Sequence, residues 1–223
     1  MLTLALDTSL AACSAALHDS ASGAVLARQW MAMERGHGEA LPQMVAAVMA
    51  ESGHAFSDIG RIAAPRGPGS FTGIRIGLAM ARGLALALGK PIVAPTTLEA
   101  LAWNIVDNPE ARPIVAVIDP GREEFHLQTF DPRGVAVSDA SAVRHKDLMA
   151  FLPRDALVTG PGTELLVSLA SGLAPIASRA LALPDAGIIA VRAAALPPTR
   201  SPEPLYLRPP DAKPLAMPVA APA

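Results

Sequence analysis

The stretch "RGPGSFTGIRIG", residues 66–77, places glycines, a proline and two hydroxyl side chains directly before a long apolar segment. Three known loop motifs do not fit it. A Walker A loop would need Lys-Ser or Lys-Thr after its second glycine, and a dinucleotide fingerprint would need glycine where Thr72 stands. A serine nucleophile elbow would need glycine in place of Pro68. The stretch therefore predicts a tight corner in front of a helix.

Two functions remain open for this loop. Gly67 and Gly69 allow a positive φ or a close backbone approach, and Pro68 stiffens the turn. Ser70 or Thr72 would cap the helix that follows. The free N–H groups and the dipole of that helix would also favour an anion. Helix capping and anion binding are both compatible with the residues.

Around this loop, the spacing of apolar residues alternates between strand and helix values. In chain order we expect strands at 2–6, 12–17 and 24–30, a helix at 37–53, a strand at 61–65, a helix at about 72–89, a strand at 91–94 and a helix capped by Thr96 or Thr97. This order is typical of a ribonuclease-H-like α/β lobe.

The second half of the chain repeats features of the first. "PIVAVID" (113–119) is an apolar strand that ends in aspartate, as "LTLALD" (2–7) is, and "LVTGPGTELL" (157–166) repeats the arrangement around the first Gly-Pro-Gly. Each strand-end aspartate is followed by another after twelve residues. This repetition predicts the α/β, duplicated ribonuclease-H-like fold of actin-like and sugar-kinase-like ATPases, with two lobes and a cleft.

The same repetition suggests a domain organisation. We expect a first lobe at 1–108 and a smaller second lobe at 109–183. Residues 184–208 contain a closing helix and pack back on the first lobe. The Pro- and Ala-rich segment 209–223 lacks periodicity and is predicted to be a disordered tail.

The strand-end aspartates are the first candidate site residues. Asp7 and Asp119 are expected to face the cleft, where kinases of this architecture hold Mg²⁺ and hydroxyl groups; the alternative is that each caps its own β-turn. The five histidines never pair at helical spacing, so no metal site is predicted. The candidate nucleotide or anion cleft comprises Asp7, Ser9, Gly67, Gly69, Ser70, Thr72, Asp119, Gly160, Gly162 and Thr163.

A ridge of small residues follows the first loop. Gly73, Gly77, Ala81 and Ala85 recur every four residues and share one broad face of the predicted helix. Such a ridge lets another element approach closely. That element is either a helix of a partner subunit or the sheet of the same chain.

Composition excludes several classes of protein. With 51% apolar residues, 4% aromatic residues and a net charge of −2, the chain has neither the basic surface nor the stacking rings of a stand-alone nucleic-acid binder. The single Cys13 excludes an internal disulfide. The N-terminus lacks a basic start and reaches Asp7 too early for a signal peptide. The apolar run "GLAMARGLALALG" is too short to span a bilayer. We therefore expect a soluble, cytoplasmic protein without membrane contact.

Five segments together carry a family resemblance. They are "LALDTSLAACSAAL", "HGEALPQMV", "GPGSFTGIRIGLAMARGLALALGKPIVAPTTLEAL", "VIDPGREEF" and "EPLYLR". The chain resembles the bacterial TsaB family, also called YeaZ, over nearly its whole length up to Arg208. It departs from the usual pattern of that family at Pro65, Arg66, Pro120, Gly121 and His126.

This resemblance implies the duplicated actin-like fold and a non-catalytic role. The chain would be the partner subunit that binds and activates a TsaD-like catalytic subunit, together with a TsaE-like ATPase. Their complex attaches threonylcarbamoyl to N6 of an adenosine next to the tRNA anticodon. The resemblance also implies a homodimer in isolation, contact with tRNA only through the complex, and no cofactor beyond weak ATP or ADP binding at the cleft or the partner interface.

The family pairs subunits through its two N-terminal helices, which favours the partner over the chain's own sheet as the neighbour of the small-residue ridge. Two alternatives remain: a small-molecule kinase of the actin-like fold, and a glycoprotease-like metallopeptidase. The partner interface is predicted to comprise His37, Leu41, Met44, Val45, Val48, Gly73, Gly77, Ala81 and Ala85.

Overall fold

The computed structural model of the chain describes residues 1–106, 111–170, 177–178 and 183–208. The first sheet has the order β3-β2-β1-β4-β5. Its strands β2 and β3 pair antiparallel, and β4 and β5 extend the sheet in parallel from β1. The strands are β1 (Leu2–Asp7), β2 (Ala12–Asp19), β3 (Ala24–Ala32), β4 (Ile59–Ala63) and β5 (Ile92–Val93).

The second sheet repeats this order as β8-β7-β6-β9-β10. Strands β6 and β7 pair antiparallel, as do β7 and β8, while β9 and β10 run parallel to β6. The duplicated ribonuclease-H-like fold is thereby confirmed. The strands are β6 (Ile114–Ile118), β7 (Glu124–Phe130), β8 (Ser141–Arg144), β9 (Leu157–Thr159) and β10 (Ala177–Ser178).

Two long helices cover one face of the first sheet. Helix α1 (His37–Ser52) lies between β3 and β4, and α2 (Phe71–Leu88) lies between β4 and β5. Leu4 and Leu6 of β1 point into the core cluster that both helices share, because alternate residues of a strand face the same side. Each helix ends at a glycine in the left-handed conformation, Gly53 or Gly89.

Helix α2 is longer than the apolar run in the sequence. With 18 residues it is long and apolar enough, by length and composition, to cross a membrane. The prediction concerned only the apolar run "GLAMARGLALALG" and not this longer helix. The core helix of a soluble protein passes the same test of length and composition. The inner face of α2, including Ile74 and Leu78, packs on the sheet.

The opposite face of the first sheet is covered by two shorter helices. Helix α3 (Thr97–Trp103) begins at Thr96, which forms a capping box with Glu99. Helix α5 (Ala186–Ala193) begins at Asp185, whose carboxylate also pairs with Arg28. Many residues in this layer are alanines, so α5 lies close to the sheet.

Helix α3 also joins the two sheets. Its Ala100 and Trp103 face the first sheet, whereas Leu98 and Leu101 belong to a core cluster with β6 and β9. On the far side of the second sheet lies helix α4 (Thr163–Leu169), together with a 3₁₀ segment at His145–Ala150. One helix thus contributes apolar side chains to the cores of both lobes.

The C-terminal segment, residues 197–208, crosses from one lobe to the other. Thr199 bonds to Ile92 of β5, and the Leu205 N–H donates to the Arg66 carbonyl at 2.7 Å. Arg208 then reaches Glu124 of the second lobe at 3.2 Å. The predicted lobe boundary between 108 and 109 and the predicted tail from 209 onward lie outside the described residues.

Candidate functional site

The first Gly-Pro-Gly loop is a closely packed corner. A β-carbon on Gly69 would lie 2.3 Å from the backbone oxygen of Ser9, and one on Gly73 would lie 2.0 Å from that of Thr8. The Ser70 N–H donates to Ser9 O at 2.8 Å, and the Thr8 hydroxyl donates to Gly73 O at 2.6 Å. These positions require glycine because the loop meets the β1–β2 turn at backbone distance.

The start of α2 is capped within the chain. The Ser70 hydroxyl oxygen accepts the Gly73 N–H at 3.2 Å, whereas Thr72 is exposed, so Ser70 is the cap. Gly67 adopts a φ of +109°, and a β-carbon there would lie 2.7 Å from Leu205 O. Because two N–H groups at this helix start already have partners, fewer remain for an anion. Anion binding here stays a prediction.

Asp7 is enclosed by this corner and is 1% exposed. Its Oδ1 accepts the Ser9 hydroxyl at 2.6 Å and the Ser9 N–H at 3.1 Å, while its Oδ2 has no hydrogen-bond partner in the described part of the chain. Burial raises the pKa of Asp7 to about 6, opposed by the Ser9 bonds and by nearby His37. The loop closes over Asp7 and Ser9, and the bond from the Ser9 N–H shows that Asp7 caps its own β-turn, as the alternative has it. The position of both residues at the cleft stays a prediction.

The second Gly-Pro-Gly loop forms an equivalent corner on β6. A β-carbon on Gly160 would lie 2.1 Å from Val117 O, and one on Gly162 would lie 3.0 Å from the Asp119 nitrogen. The Thr163 hydroxyl donates to Gly160 O at 2.6 Å. Both Gly-Pro-Gly loops are therefore explained by backbone packing on the first strand of their own sheet.

Asp119 differs from Asp7 in its surroundings. It is exposed, and its Oδ1 accepts the Gly121 N–H at 2.7 Å, so it caps the turn after β6. Leu10, from the β1–β2 turn, packs against the core cluster of α3 and the second sheet. The structure thus places the predicted cleft residues in two separate corners, with an apolar side chain of the first lobe reaching toward the second.

The residues predicted at the partner interface are buried or nearly buried within this chain. His37 Nε2 lies 3.1 Å from Leu10 O. A β-carbon on Gly77 would lie 2.8 Å from the Thr8 hydroxyl, so the small-residue ridge seats α2 on its own sheet. All residues of the predicted interface are buried in the isolated chain, and their role in partner contact stays a prediction; they are His37, Leu41, Met44, Val45, Val48, Gly73, Gly77, Ala81 and Ala85.

The opposite side of α2 is exposed and apolar. Leu86 is 87% exposed, and a β-carbon on Gly83 would lie more than 4 Å from every atom in the described part of the chain. Ala79, Gly83 and Ala87 form a second row of small residues at four-residue spacing, a signal that sequence reasoning missed. We define the outer face of α2 as Thr72, Ile76, Ala79, Met80, Gly83, Leu86 and Ala87.

A pocket of about 450 Å³ adjoins this face where the two long helices begin. It lies between the loop that precedes α1, including Glu34 and Arg35, and the first turn of α2. In residues 1–106, 111–170 and 183–208, the pocket included, no group of three or more His, Cys, Asp or Glu side chains is placed to hold a metal ion.

Comparisons with known proteins agree with the duplicated fold. The chain is 36% identical over 137 residues to the tRNA threonylcarbamoyladenosine biosynthesis protein TsaB of Escherichia coli K12. That match covers 60% of this chain and 58% of the relative, so the chain matches little more than half of the relative's length. The solved structure of YeaZ from Pseudomonas aeruginosa superposes with a TM-score of 0.77 at 29% identity, covering 86% of this chain and 90% of that one.

A more distant neighbour supports the fold alone. It is the activator of the 2-hydroxyisocaproyl-CoA dehydratase from Clostridium difficile with bound ADPNP, at a TM-score of 0.50 and 12% identity, covering 86% of this chain and 94% of that one. A family model described as "TsaD: tRNA N6-adenosine threonylcarbamoyltransferase" matches residues 31–165. Together with the TsaB and YeaZ relatives, this match identifies the chain as a member of the TsaD-type threonylcarbamoyltransferase family, in its TsaB (YeaZ) branch.

Proposed function

We propose that this chain is the non-catalytic partner subunit of a TsaD-like catalytic subunit in tRNA threonylcarbamoyladenosine synthesis. The relatives named TsaB support the pathway. The observation that carries the partner role is the outer face of α2, an exposed apolar helix surface with an unexplained glycine at its centre. The partner would dock on this face and on the adjoining exposed side of α1.

Gly83 is the most informative residue of this surface. Glycine inside an exposed helix costs about 1 kcal/mol relative to alanine. The other glycines of α2, Gly73 and Gly77, are required by contacts with Thr8, but a β-carbon on Gly83 would meet no atom within 4 Å among the residues that the structure describes. A helix of another subunit crossing at Gly83, between Ala79 and Ala87, would supply the missing reason.

Exposure of large apolar side chains gives the second support. Leu86 is 87% exposed, and Ile76 and Met80 are half-buried earlier on the same face of the helix. Burying a leucine side chain contributes about 2 kcal/mol, and a few such residues in the centre of an interface dominate its free energy of binding. The same face would pair two copies of the chain when the partner is absent.

The remaining parts of the proposal follow the family. A TsaE-like ATPase would complete the complex, and tRNA would be contacted only through the assembled complex in the cytoplasm. The chain would need no resident cofactor. Weak ATP or ADP binding fits the pocket of about 450 Å³ beside the outer face better than the enclosed surroundings of Asp7.

Two variants that each replace an alanine of α2 by glutamate, at positions two residues apart, test this proposal. Ala79→Glu places a charge on the outer face, whereas Ala81→Glu places it in the core, where Ala81 is fully buried. Each variant is co-expressed with the TsaD-like protein of the same genome. Co-purification, size-exclusion chromatography and circular dichroism are then measured.

We expect Ala79→Glu to keep a native circular dichroism spectrum, run as a monomer and lose the partner. Ala81→Glu should lose several kcal/mol of stability, because an unpaired charge is costly in a core. Full co-purification of a folded Ala79→Glu chain would refute the docking face. A folded Ala81→Glu chain that loses only the partner would restore the ridge of small residues as the interface.

A further inference from the structure

A second pocket, of about 520 Å³, lies on the second lobe, away from the outer face of α2. Three separate segments meet there: the turn between β6 and β7, the end of β8 with the 3₁₀ segment that follows, and the end of the C-terminal segment. Besides His145, the described lining consists of the cations Arg122, Arg144, Lys146 and Arg208 and the carboxylates Glu123 and Glu124.

The pocket carries more positive than negative charge, although the whole chain has a net charge of −2. Glu124 is paired with Arg208 at 3.2 Å. Arg144 and Lys146 form no ion pair with any residue that the structure describes. Cations grouped in a concave surface focus their field, so the pocket attracts anions even on a slightly acidic protein.

The backbone holds these charges in a fixed frame. Gly121, Arg122 and Glu123 have successive φ values of 79°, 68° and 56°, and the left-handed conformation is costly for the last two. The Glu123 carbonyl accepts the His145 N–H at 2.9 Å, and Glu124 is the cross-strand partner of Arg144. Costly backbone conformations that the surrounding structure enforces are concentrated at functional sites.

The ring of His145 strengthens the frame. It lies 4.5 Å from the ring of the fully buried Phe125, which anchors the start of the 3₁₀ segment to the core of the second lobe. Lys146 follows directly in that segment. The two cations without ion pairs are therefore carried by backbone that is tied to the core, and little ordering would be required when a ligand binds.

We propose that this pocket is a phosphate-binding site of the second lobe. Arginine and lysine side chains are the protein groups suited to phosphate oxygens, arginine through two parallel N–H bonds. The described lining offers cationic donors for phosphate oxygens and has no Phe, Tyr or Trp ring on which a base could stack. The phosphate would come from an RNA backbone or from a free nucleotide. The RNA source rests on the proposed function in tRNA modification; the phosphate chemistry does not.

The experiment compares the full-length chain with the variant Arg144→Glu/Lys146→Glu. The matched control, Arg133→Glu/Arg154→Glu, makes the same charge change at exposed positions of the same lobe outside the pocket. Three probes are titrated at several salt concentrations: a labelled anticodon stem-loop RNA, ATP and inorganic phosphate. Circular dichroism checks folding, and the neutral variant Arg144→Gln/Lys146→Gln replaces the charge reversal if that variant does not fold.

For an RNA source, we expect the pocket variant to weaken RNA binding at least tenfold and to lower the salt slope by about two, one for each phosphate contact removed. The control should bind like the wild type. For a nucleotide source, ATP or phosphate binding should fall instead in the pocket variant alone.

Equal behaviour of the pocket variant and the control overturns the proposal, and so does the absence of binding of all three probes by the wild type. Co-purification of both variants with the TsaD-like protein is measured in parallel. Because the pocket lies apart from the outer face of α2, co-purification should persist. Failure of the phosphate site is thus distinguished from failure of the proposed function.

Discussion

The two lobes have the same strand order. They also have in common an aspartate that caps the hairpin turn after their second strand. After β2, Asp19 Oδ1 accepts the Ala21 N–H at 3.0 Å; after β7, Asp131 Oδ1 accepts the Arg133 N–H at 2.9 Å. Both cap an exposed hairpin turn in the same way. A short-range function of this kind was kept in both copies because it depends only on the turn itself.

The aspartates at the ends of the first strands differ. Asp7 is 1% exposed beneath its Gly-Pro-Gly corner, whereas Asp119 is exposed. Equivalent corners also precede unequal helices, since α2 has 18 residues and α4 has seven. The first lobe is therefore closed around its aspartate and presents a long helix surface. The second lobe leaves its first turn open, beside a basic pocket.

The largest loss of stability is expected from substitutions in the two Gly-Pro-Gly corners. Gly69→Ala would bring a β-carbon to 2.3 Å from Ser9 O, and Gly160→Ala to 2.1 Å from Val117 O. The Val117 oxygen cannot move without shifting β6, and the Ser9 oxygen cannot move without breaking its bond to the Ser70 N–H. Each variant should therefore lose about 3 kcal/mol or more of stability. Urea unfolding measures both. A loss below about 1 kcal/mol in either lobe would show that its corner is loosely packed.

The enclosed state of Asp7 predicts a dependence of stability on pH. Since the folded pKa is raised from 3.8 to about 6, the folded chain holds a proton that the unfolded chain releases in that interval. Stability due to Asp7 is complete below pH about 4 and is lost as the pH rises to about 6, by about 3 kcal/mol in total.

The variant Asp7→Asn isolates this contribution, because an amide oxygen can still accept from Ser9. The unfolding free energy of the wild type minus that of Asp7→Asn should fall from pH 4 to pH 6 and stay constant above pH 6. A difference independent of pH would mean that His37 and Ser9 offset the burial of the carboxylate entirely.

The smallest effect concerns the outer face of α2. Gly83→Ala should stabilise the isolated chain by about 0.5–1 kcal/mol, because the methyl group meets open space and alanine favours helix. The added methyl should weaken binding of the TsaD-like partner. Thermal unfolding and co-purification measure the two effects. A destabilised Gly83→Ala chain would show that this face is packed within the chain.

Local features of the fold could be predicted from the sequence. The strands, the Thr96 cap and the two Gly-Pro-Gly corners depend on neighbouring residues and on simple periods. What Gly69 and Gly73 pack against could not be predicted, because the β1–β2 turn at Thr8 and Ser9 is about sixty residues away in the chain. The burial of Asp7 follows from that long-range contact.

The orientation of α2 could not be predicted for a related reason. Helix α2 has two rows of small residues, one through Gly77 and Ala81 and one through Ala79 and Gly83. Spacing alone does not say which row faces the sheet. The basic pocket was also missed, since the pairing of β7 with β8 and the course of the C-terminal segment bring Arg144 and Arg208 together.

Reconstituted tRNA modification tests the central claim most directly. The wild-type chain and Ala79→Glu are each assayed alone and with the TsaD-like protein, a TsaE-like ATPase, ATP, threonylcarbamoyl-AMP and unmodified tRNA. We predict no threonylcarbamoyladenosine from the chain alone, formation when the wild-type chain joins the other components, and loss of that stimulation with Ala79→Glu. Turnover by the isolated chain, free of its partners, would contradict the assignment as a non-catalytic subunit.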